Sequence, residues 1–386
     1  MEARVLTVNG RAYRWPSRPV VVVCLDGSAF EYIERAIAAG VAPYLQSLVG
    51  VRFFRLVESA LPSFTNPNNV SIVTGVPPSV HGIGGNFFLD RETGDAVMMN
   101  DASYLRADTI LAAFSRAGAR VAVVTAKDKL RRLLGSGVSG TCLSIEAGGV
   151  EVYSAELSER ALADGAHLLA STKPDLMYLS TSDYVQHKHA PGSVEANRFY
   201  LAVDRSLAEI DRLGATLVVT ADHGMRAKAD TDGRARVIFL QDVLDGWLGA
   251  GEARVVLPIT DPYVLHHGAL GSCAMVYLAR PDTTQALAHR VHAIDGVDVA
   301  LAHDEACRRF DLPPDRTGDL VVFSDGETVI GTRPAEHDLS ALDAPLRSHG
   351  GRAEQEVPMF ANRTVAADYR PRHNYDAFDL ALNGCA

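Results

Sequence analysis

The sequence lacks the features that mark several common classes of protein. Its five cysteines are scattered and form no CxxC pair, which argues against a disulfide framework and indicates reduced thiols. No apolar run approaches the length of a membrane span, and the N-terminus lacks the apolar region of a signal peptide. The net charge of -10, with no basic block, argues against a nucleic-acid partner. We therefore expect a soluble, cytoplasmic protein that binds neither membranes nor nucleic acid.

The usual glycine-rich and nucleophile motifs are also missing. Residues 135–140 match GxGxxG by letter, but the match follows a helical pattern and no clear helix comes after it. A dinucleotide site requires a strand before the motif and a helix after it, so this match is rejected. Neither GxxxxGK[ST] nor GxSxG occurs in the chain. Any catalytic chemistry has to come from other groups.

Short apolar runs alternate with helical patterns, which is typical of an α/β fold. A hydrophobic content of 47% in 386 residues allows a large core. Continuous apolar runs favour parallel strands covered on both faces, and they occur at residues 19–24, 120–125, 175–180 and 216–220. We predict an α/β fold, a doubly wound sheet with helices on both faces.

The pattern changes at about residue 228, where shorter strands and helices begin to mix. This mixture predicts an inserted α+β cap over residues 228–344, while residues 1–227 and 345–386 form the core domain. His266, His267 and His303 of the insertion are interpreted as structural or surface residues. Whether the chain forms a homodimer is left open.

Acidic residues and a histidine stand where core strands are predicted to end. Asp222 and His223 directly follow the run that ends at Thr220, and Asp26 follows the first run. The carboxyl ends of parallel strands meet at one crevice, so these side chains should converge there. A carboxylate oxygen and an imidazole nitrogen suit zinc or a similar divalent ion. Taken singly, each could also be an ordinary turn residue.

Three further residues complete a candidate metal site. Asp183 and His187 are four apart, so one helical turn would direct both at one point. His349 stands before two glycines and close to another apolar run. With Thr65 as an additional oxygen ligand, the candidate set that could share two metals is Asp26, Thr65, Asp183, His187, Asp222, His223 and His349.

Thr65 is also the candidate nucleophile. Pro67 suits the first turn of a helix, which predicts a helix from about Asn66 to Thr74 with Thr65 at its N-terminus. The N-terminus of a helix favours anions. Thr65 could equally be a simple N-cap. As a nucleophile it would need a strong activator, and a metal ion is the activator that this sequence can offer.

Lys127 and Lys129 are candidates for binding an anion. They flank Asp128 directly after a core strand, and in an extended segment their spacing would place both ammonium groups on one side. The alternative is that both are solvated surface lysines. Asn86, in a glycine-rich loop, could donate to a phosphoryl oxygen or could serve as a turn residue.

The order of these motifs resembles the alkaline phosphatase superfamily over most of the chain. The motifs are the Thr65 loop, Asp183-xxx-His187, Asp222-His223-Gly224 and Ser348-His349-Gly350-Gly351. The resemblance is greatest to the phosphodiesterase/nucleotide pyrophosphatase-like branch, and within it to members that act on a phosphonate. The residues that carry this closer resemblance are 62–69, 125–129, 223–225 and 237–242. The sulfatase branch is disfavoured because no Cys/Ser-x-Pro-x-Arg motif stands at the nucleophile.

The resemblance implies a di-zinc hydrolase, although iron or manganese could occupy such a site. One zinc would be held by Asp183, His187 and His349, and the other by Asp26, Asp222, His223 and Thr65. The substrate would be a small anionic phosphonate, namely phosphonoacetate, cleaved to acetate and phosphate through a phosphothreonine. Lys127 and Lys129 would bind its carboxylate and Asn86 its phosphoryl group. The alternatives are a phosphodiesterase, nucleotide pyrophosphatase or phosphomonoesterase on the same metals, and a non-catalytic anion-binding metalloprotein.

Overall fold

The structure is a computed structural model that describes residues 4–259, 270–342 and 344–385. His266 and His267 lie outside the described residues. The strands are β1 (Val5–Val8), β2 (Arg11–Arg14), β3 (Val20–Cys24), β4 (Phe53–Glu58), β5 (Phe87–Leu89), β6 (Ala96–Met98), β7 (Val121–Thr125), β8 (Thr141–Ser144), β9 (Leu176–Ser180), β10 (Thr216–Thr220), β11 (Arg226–Ala227), β12 (Val237–Phe239), β13 (Ala253–Val256), β14 (Cys273–Leu278), β15 (Val297–Ala302), β16 (Leu320–Ser324), β17 (Val329–Gly331), β18 (Arg347–Ser348) and β19 (Glu356–Ala361).

Helices connect most of these strands. They are α1 (Phe30–Ala38), α2 (Pro43–Val51), α3 (Thr65–Thr74), α4 (Pro78–His81), α5 (Ile110–Arg116), α6 (Asp128–Leu134), α7 (Ala155–Thr172), α8 (Tyr184–Lys188), α9 (Val194–Arg212), α10 (Leu240–Leu248), α11 (Thr284–His292), α12 (His303–Phe310) and α13 (Ala377–Asp379). None of the helices in the described ranges is long and apolar enough to cross a membrane.

The central sheet has the order β4-β19-β10-β3-β9-β7-β8. The five strands from β10 to β8 are parallel, and β19 runs antiparallel to both of its neighbours. Alternate residues of β3 point to opposite faces, so Val22 packs with α3, α5 and α6, while Val21 packs with α1, α7 and α9. The predicted doubly wound sheet with helices on both faces is confirmed.

The register of the parallel strands brings their carboxyl ends to one edge. Cys24 of β3 pairs with Thr220 of β10 and with Ser180 of β9. Ser180 in turn pairs with Thr125 of β7. The segments that leave these paired residues therefore start side by side, and they carry most of the candidate site residues. This is the position at which open α/β sheets bind their ligands.

A second sheet lies within the predicted insertion. It is antiparallel, with the order β13-β14-β16-β15, and it has its own apolar core with α10, α11 and α12. The β5–β6 hairpin, which precedes the predicted insertion in the chain, packs against this sheet, where Leu89 shares one apolar cluster with Met275 and Tyr277. The predicted boundaries of the insertion, 228 and 344, stay a prediction.

The segment from Lys127 to Lys129 is not extended, and the prediction that placed both ammonium groups on one side of an extended segment is wrong. Instead, Lys127 is the N-cap residue of α6, and Lys129 lies in its first turn. The helix begins here because the Asp128 carboxylate accepts hydrogen bonds from Arg131 and Arg132, three and four residues later. A carboxylate in the first turn also interacts favourably with the helix dipole.

Candidate active site

The seven candidate ligand residues form one continuous buried cluster, in which no residue is more than 6% exposed. Asp26, Asp183, Asp222 and His223 follow strands of the central sheet. The other three lie in or beside other elements. Thr65 is the first residue of α3, His187 lies in α8, and His349 follows the short strand β18.

One half of the cluster is centred on His223. The Nε2 atom of His223 lies 3.3 Å from Asp26 Oδ1, 3.8 Å from Asp222 Oδ2 and 3.3 Å from Thr65 Oγ1. Nitrogen and oxygen atoms bound at about 2.0–2.1 Å to one tetrahedral zinc ion are separated by about 3.3 Å. Two of the three distances match that spacing and the third is somewhat longer, so the atoms around His223 Nε2 lie close to the arrangement that one small divalent ion requires.

The other half is centred on Asp183. Its Oδ2 atom lies 3.0 Å from His187 Nε2 and 3.7 Å from His349 Nε2. The predicted helical turn from Asp183 to His187 is present, since His187 N–H donates to the Asp183 carbonyl oxygen at 3.0 Å. His223 joins the two halves: its ring stacks on that of His349 at 3.6 Å, and potential ligand atoms of Asp183, His223 and His349 lie within 4.8 Å of one another.

Each of the three histidines is held in the same tautomer. The Nδ1 atoms of His187, His223 and His349 lie 2.9 Å from the carbonyl oxygens of Arg347, Gly224 and Ser63 respectively. A carbonyl oxygen only accepts hydrogen bonds, so each Nδ1 carries a proton and donates. The Nε2 atoms, which face the carboxylates, are then the nitrogens that can bind a metal. Backbone contacts of this kind commonly orient metal-binding histidines.

Thr65 is not an N-cap residue, since α3 is preceded by Phe64 and no side chain caps its N-terminus. Phe64 packs edge-to-face on His349, with ring centroids 5.5 Å apart. This packing requires Gly350, which has a φ of +113° and at which a Cβ atom would lie 2.1 Å from Phe64 Cε1. The contact fixes the start of the Thr65 helix relative to His349.

Of the predicted anion-binding residues, Lys127 is placed at the centre of the cluster. Its ammonium donates to Asp183 Oδ1 at 3.1 Å and lies 3.7 Å from Asp26 Oδ2. Lys129 is buried two residues later. Asn86 is also buried; its Nδ2 is 3.5 Å from the Ile259 carbonyl oxygen, and its Oδ1 accepts no hydrogen bond from the described residues.

Sequence reasoning missed a buried ion pair that supports both histidine loops. Lys228 and Glu354 are both fully buried, and the Lys228 ammonium donates to Glu354 Oε1 at 2.8 Å. Glu354 accepts the N–H of Gly224 at its carbonyl oxygen and that of Gly351 at Oε2. Gly224 directly follows His223, and Gly351 is the second residue after His349. No sequence signal distinguishes this pair, because charged residues are ordinarily exposed.

The carboxylates of the cluster carry more negative charge than Lys127 neutralises. Burial, reinforced by Asp26, raises the pKa of Asp222 to about 8. Burial lowers the pKa of His223, but Asp222 and Asp26 outweigh it and raise that pKa to about 9. Burial also opposes ionisation of Asp183, yet Lys127 and His187 outweigh it and hold its pKa well below the usual range. A site with two raised pKa values among its carboxylates and histidines favours a bound cation.

We expect metal binding to release protons and to strengthen as the pH rises. Because both pKa values lie above 7, Asp222 and His223 carry protons at neutral pH, and a metal must displace these protons before it can bind. The logarithm of metal affinity should rise by about one to two per pH unit between about pH 6 and 8 and level off above about pH 9. Competition with a chromophoric chelator, corrected for its own protonation, measures this slope. A flat profile would contradict the expectation.

Comparison with known proteins identifies the relatives of this chain. Residues 20–352 match the family model described as type I phosphodiesterase/nucleotide pyrophosphatase. The chain is 52% identical to phosphonoacetate hydrolase of Sinorhizobium meliloti 1021, solved in complex with phosphonoformate, with 100% of both chains covered and a TM-score of 0.96. A structure of the same enzyme in complex with phosphonoacetate has 51% identity and the same coverage and TM-score.

Two more distant relatives are a solved structure that shares the fold and a protein that is similar in sequence. Murine ectonucleotide pyrophosphatase/phosphodiesterase 5 is 19% identical, with 96% of each chain covered and a TM-score of 0.68. An ectonucleotide pyrophosphatase/phosphodiesterase of Caenorhabditis elegans is 25% identical over 373 residues, which make up 89% of this chain but only 45% of that protein. The chain thus spans about half the length of this curated relative. Together, the match over residues 20–352 and the full-length similarity to the Sinorhizobium meliloti enzyme show that the chain belongs to the type I phosphodiesterase/nucleotide pyrophosphatase family.

Proposed function

We propose that this chain is a metal-dependent hydrolase that cleaves the carbon–phosphorus bond of phosphonoacetate to give acetate and phosphate. The observation that carries the proposal is the position of a threonine hydroxyl and a lysine ammonium in one buried acid–histidine cluster. Its support is the full-length similarity to the Sinorhizobium meliloti enzyme, which was solved with phosphonoacetate and with phosphonoformate. A location in the cytoplasm, where the five free cysteines would stay reduced, belongs to the same proposal.

The donor atoms of the cluster fit two divalent cations. Both carboxylate oxygens of Asp26 are buried and accept no hydrogen bond from the described residues, and the Lys127 ammonium, 3.7 Å from Oδ2, is shared with Asp183, so a further positive partner would lower the cost of burying this charge. Imidazole nitrogens mixed with carboxylate oxygens suit zinc, and iron or manganese also accept such a set. We assign Asp26, Asp222, His223 and Thr65 to one cation, and Asp183, His187 and His349 to the other.

When bound, such cations lower the pKa of a coordinated hydroxyl and neutralise phosphoryl oxygens. Thr65 Oγ1 would then lose its proton to solvent and attack phosphorus, so that an O–P bond forms and the P–C bond breaks. The electron pair of the broken bond leaves on carbon, where the neighbouring carboxylate delocalises it as an enediolate. Lys127 and Lys129 stabilise this charge, and a proton from solvent completes acetate. Water finally attacks the phosphothreonine, releasing phosphate and restoring the hydroxyl.

Two other functions, one catalytic and one not, compete with this proposal. The family match favours hydrolysis of a phosphodiester, a nucleotide pyrophosphate or a phosphomonoester at the same site. The buried lysines favour the phosphonate as substrate. A carbanion leaving group is stabilised when a neighbouring carboxylate delocalises its charge, and a buried carboxylate requires a positively charged partner in the protein. The other alternative is a non-catalytic anion-binding protein. In such a protein the position of the Thr65 hydroxyl, 3.3 Å from His223 Nε2, would have no functional explanation.

We expect the zinc-loaded protein to release phosphate from phosphonoacetate in strong preference to a nitrophenyl phosphodiester or monoester. Chelation should abolish the activity, and adding back the metal should restore it. Phosphate release is measured for the three substrates side by side at one enzyme concentration. Turnover of the esters alone would reject the phosphonate assignment, and turnover of none, with anion binding retained, would favour the binding protein.

A further inference from the structure

Asn69 occupies a central position between the nucleophile helix and the metal-binding carboxylates. It lies on α3 four residues after Thr65 and is fully buried. Its Nδ2 atom donates to Asp222 Oδ2 at 2.9 Å and to the Thr65 carbonyl oxygen at 3.0 Å. Its Oδ1 atom accepts from the hydroxyls of Tyr178 at 2.8 Å and Ser180 at 3.0 Å. Every hydrogen-bonding position of the amide is therefore used.

The orientation of this amide follows from its partners. The Thr65 carbonyl oxygen can only accept a hydrogen bond, so the group that faces it and Asp222 has to be the NH₂. The oxygen then faces Tyr178 and Ser180 of β9, whose hydroxyls are free to donate. The central sheet thereby holds the amide in one direction, aimed at the Asp222 carboxylate.

Asn69 is the only side chain in the described part of the chain that donates a hydrogen bond to Asp222. The other Asp222 oxygen, Oδ1, accepts from the backbone N–H groups of Gly27 and His223 at 3.2 and 3.0 Å. These hydrogen bonds determine which lone pairs of the Asp222 carboxylate oxygens remain available to a cation. The same NH₂ group holds the first turn of the nucleophile helix through the Thr65 carbonyl. One amide thus connects the nucleophile with a candidate metal ligand.

We propose that Asn69 is a positioning residue that fixes the Thr65 hydroxyl relative to the cation held by Asp222. The proposal rests on the proposed function for its link to turnover, but its metal-binding part does not. Residues that hydrogen-bond to metal ligands without contacting the metal typically contribute 10- to 100-fold to metal affinity or activity. A purely structural role would instead affect only the stability of the fold.

The test compares Asn69→Leu and Asn69→Asp with a control on the same helix. Leucine has the same number of heavy atoms and the same branching as asparagine but forms no hydrogen bonds, while aspartate replaces the donor that faces Asp222 with an acceptor. The control is Thr74→Val, because Thr74 is equally buried on α3 and its hydroxyl bonds only to the backbone of that helix. Metal affinity is measured by chelator competition without substrate, and kcat and KM with phosphonoacetate. Both are normalised to the folded fraction.

We expect both Asn69 variants to bind one of the two metal equivalents about 10- to 100-fold more weakly than the native protein. At saturating metal, kcat should fall by a similar factor while KM changes little. Thr74→Val should match the native protein in both measurements. Metal affinity and kcat within about threefold of the Thr74→Val values would overturn the proposal.

A second variant covers the case in which the Asn69 variants fail to fold. The double variant Tyr178→Phe, Ser180→Ala leaves Asn69 in place but removes both hydroxyls that orient its amide. We expect a smaller loss of metal affinity in the same direction, and unchanged affinity would overturn the proposal. If the native protein does not cleave phosphonoacetate, the proposed function fails while the affinity measurements still test Asn69.

Discussion

Replacing Thr65 with valine should reduce turnover of phosphonoacetate by on the order of 10⁴-fold or more, as expected when a covalent nucleophile is removed. Valine nearly matches threonine in shape, so the packing of Phe64 against His349 is retained. Asp26, Asp222 and His223 remain to hold a cation, so the protein should still bind two metal equivalents. Phosphate release and metal content, measured on the same preparation, separate the loss of the nucleophile from the loss of the site.

The conservative variant Thr65→Ser provides the control. Serine keeps a hydroxyl at the N-terminus of α3, and we expect it to retain a substantial part of the activity. Acid quenching during turnover should trap phosphate on residue 65 in the native and serine proteins but not in the valine protein. Near-native turnover by Thr65→Val would contradict the nucleophile assignment. Equal anion binding with no turnover in any form would instead favour a binding protein.

The parts of the fold that depend on local pattern were predictable from the sequence. The valine run of β3 and the apolar run of β10 predict buried parallel strands, and Asp26 and Asp222 are predicted at their ends because such strands end at one edge. The turn between Asp183 and His187 also follows from spacing alone. The metal, nucleophile and substrate roles of the site residues stay predictions.

The remaining features depend on contacts between distant segments. His349 is next to Thr65 because Gly350 leaves room for Phe64, which a sequence pattern does not reveal. The first turn of α6 forms partly because Glu146 accepts the backbone N–H of Asp128 at 2.7 Å. The position of Asn69 near Thr65 could have been predicted, since it lies four positions after Thr65 on the same face of a predicted helix. Its partners on β9 could not have been predicted without the sheet order.

The two lysines should contribute differently to substrate choice. Lys127 Nζ lies 3.1 Å from Asp183 and 3.7 Å from Asp26, so its positive charge interacts directly with two of the candidate metal ligands. Lys127→Met should therefore impair turnover of a nitrophenyl phosphodiester as well as turnover of phosphonoacetate. Lys129 lies two residues later, in the first turn of α6, and its predicted role is to bind the substrate carboxylate. Lys129→Met should impair only the phosphonate reaction.

For Lys129→Met we expect kcat/KM for phosphonoacetate to fall by about 10²-fold or more, since the substrate carboxylate would be buried with one positive partner fewer. The value for the phosphodiester should change by less than about threefold, because that substrate has no carboxylate to bind. Arg132→Met is the control: it removes a positive charge from the same helix, its side chain is 71% exposed, and Arg131 keeps its own hydrogen bond to Asp128, so neither substrate should be affected. The informative quantity is the ratio of the two kcat/KM values, which cancels differences in folded fraction and metal content. Equal losses for both substrates would show that Lys129 supports the metal centre and does not recognise the carboxylate.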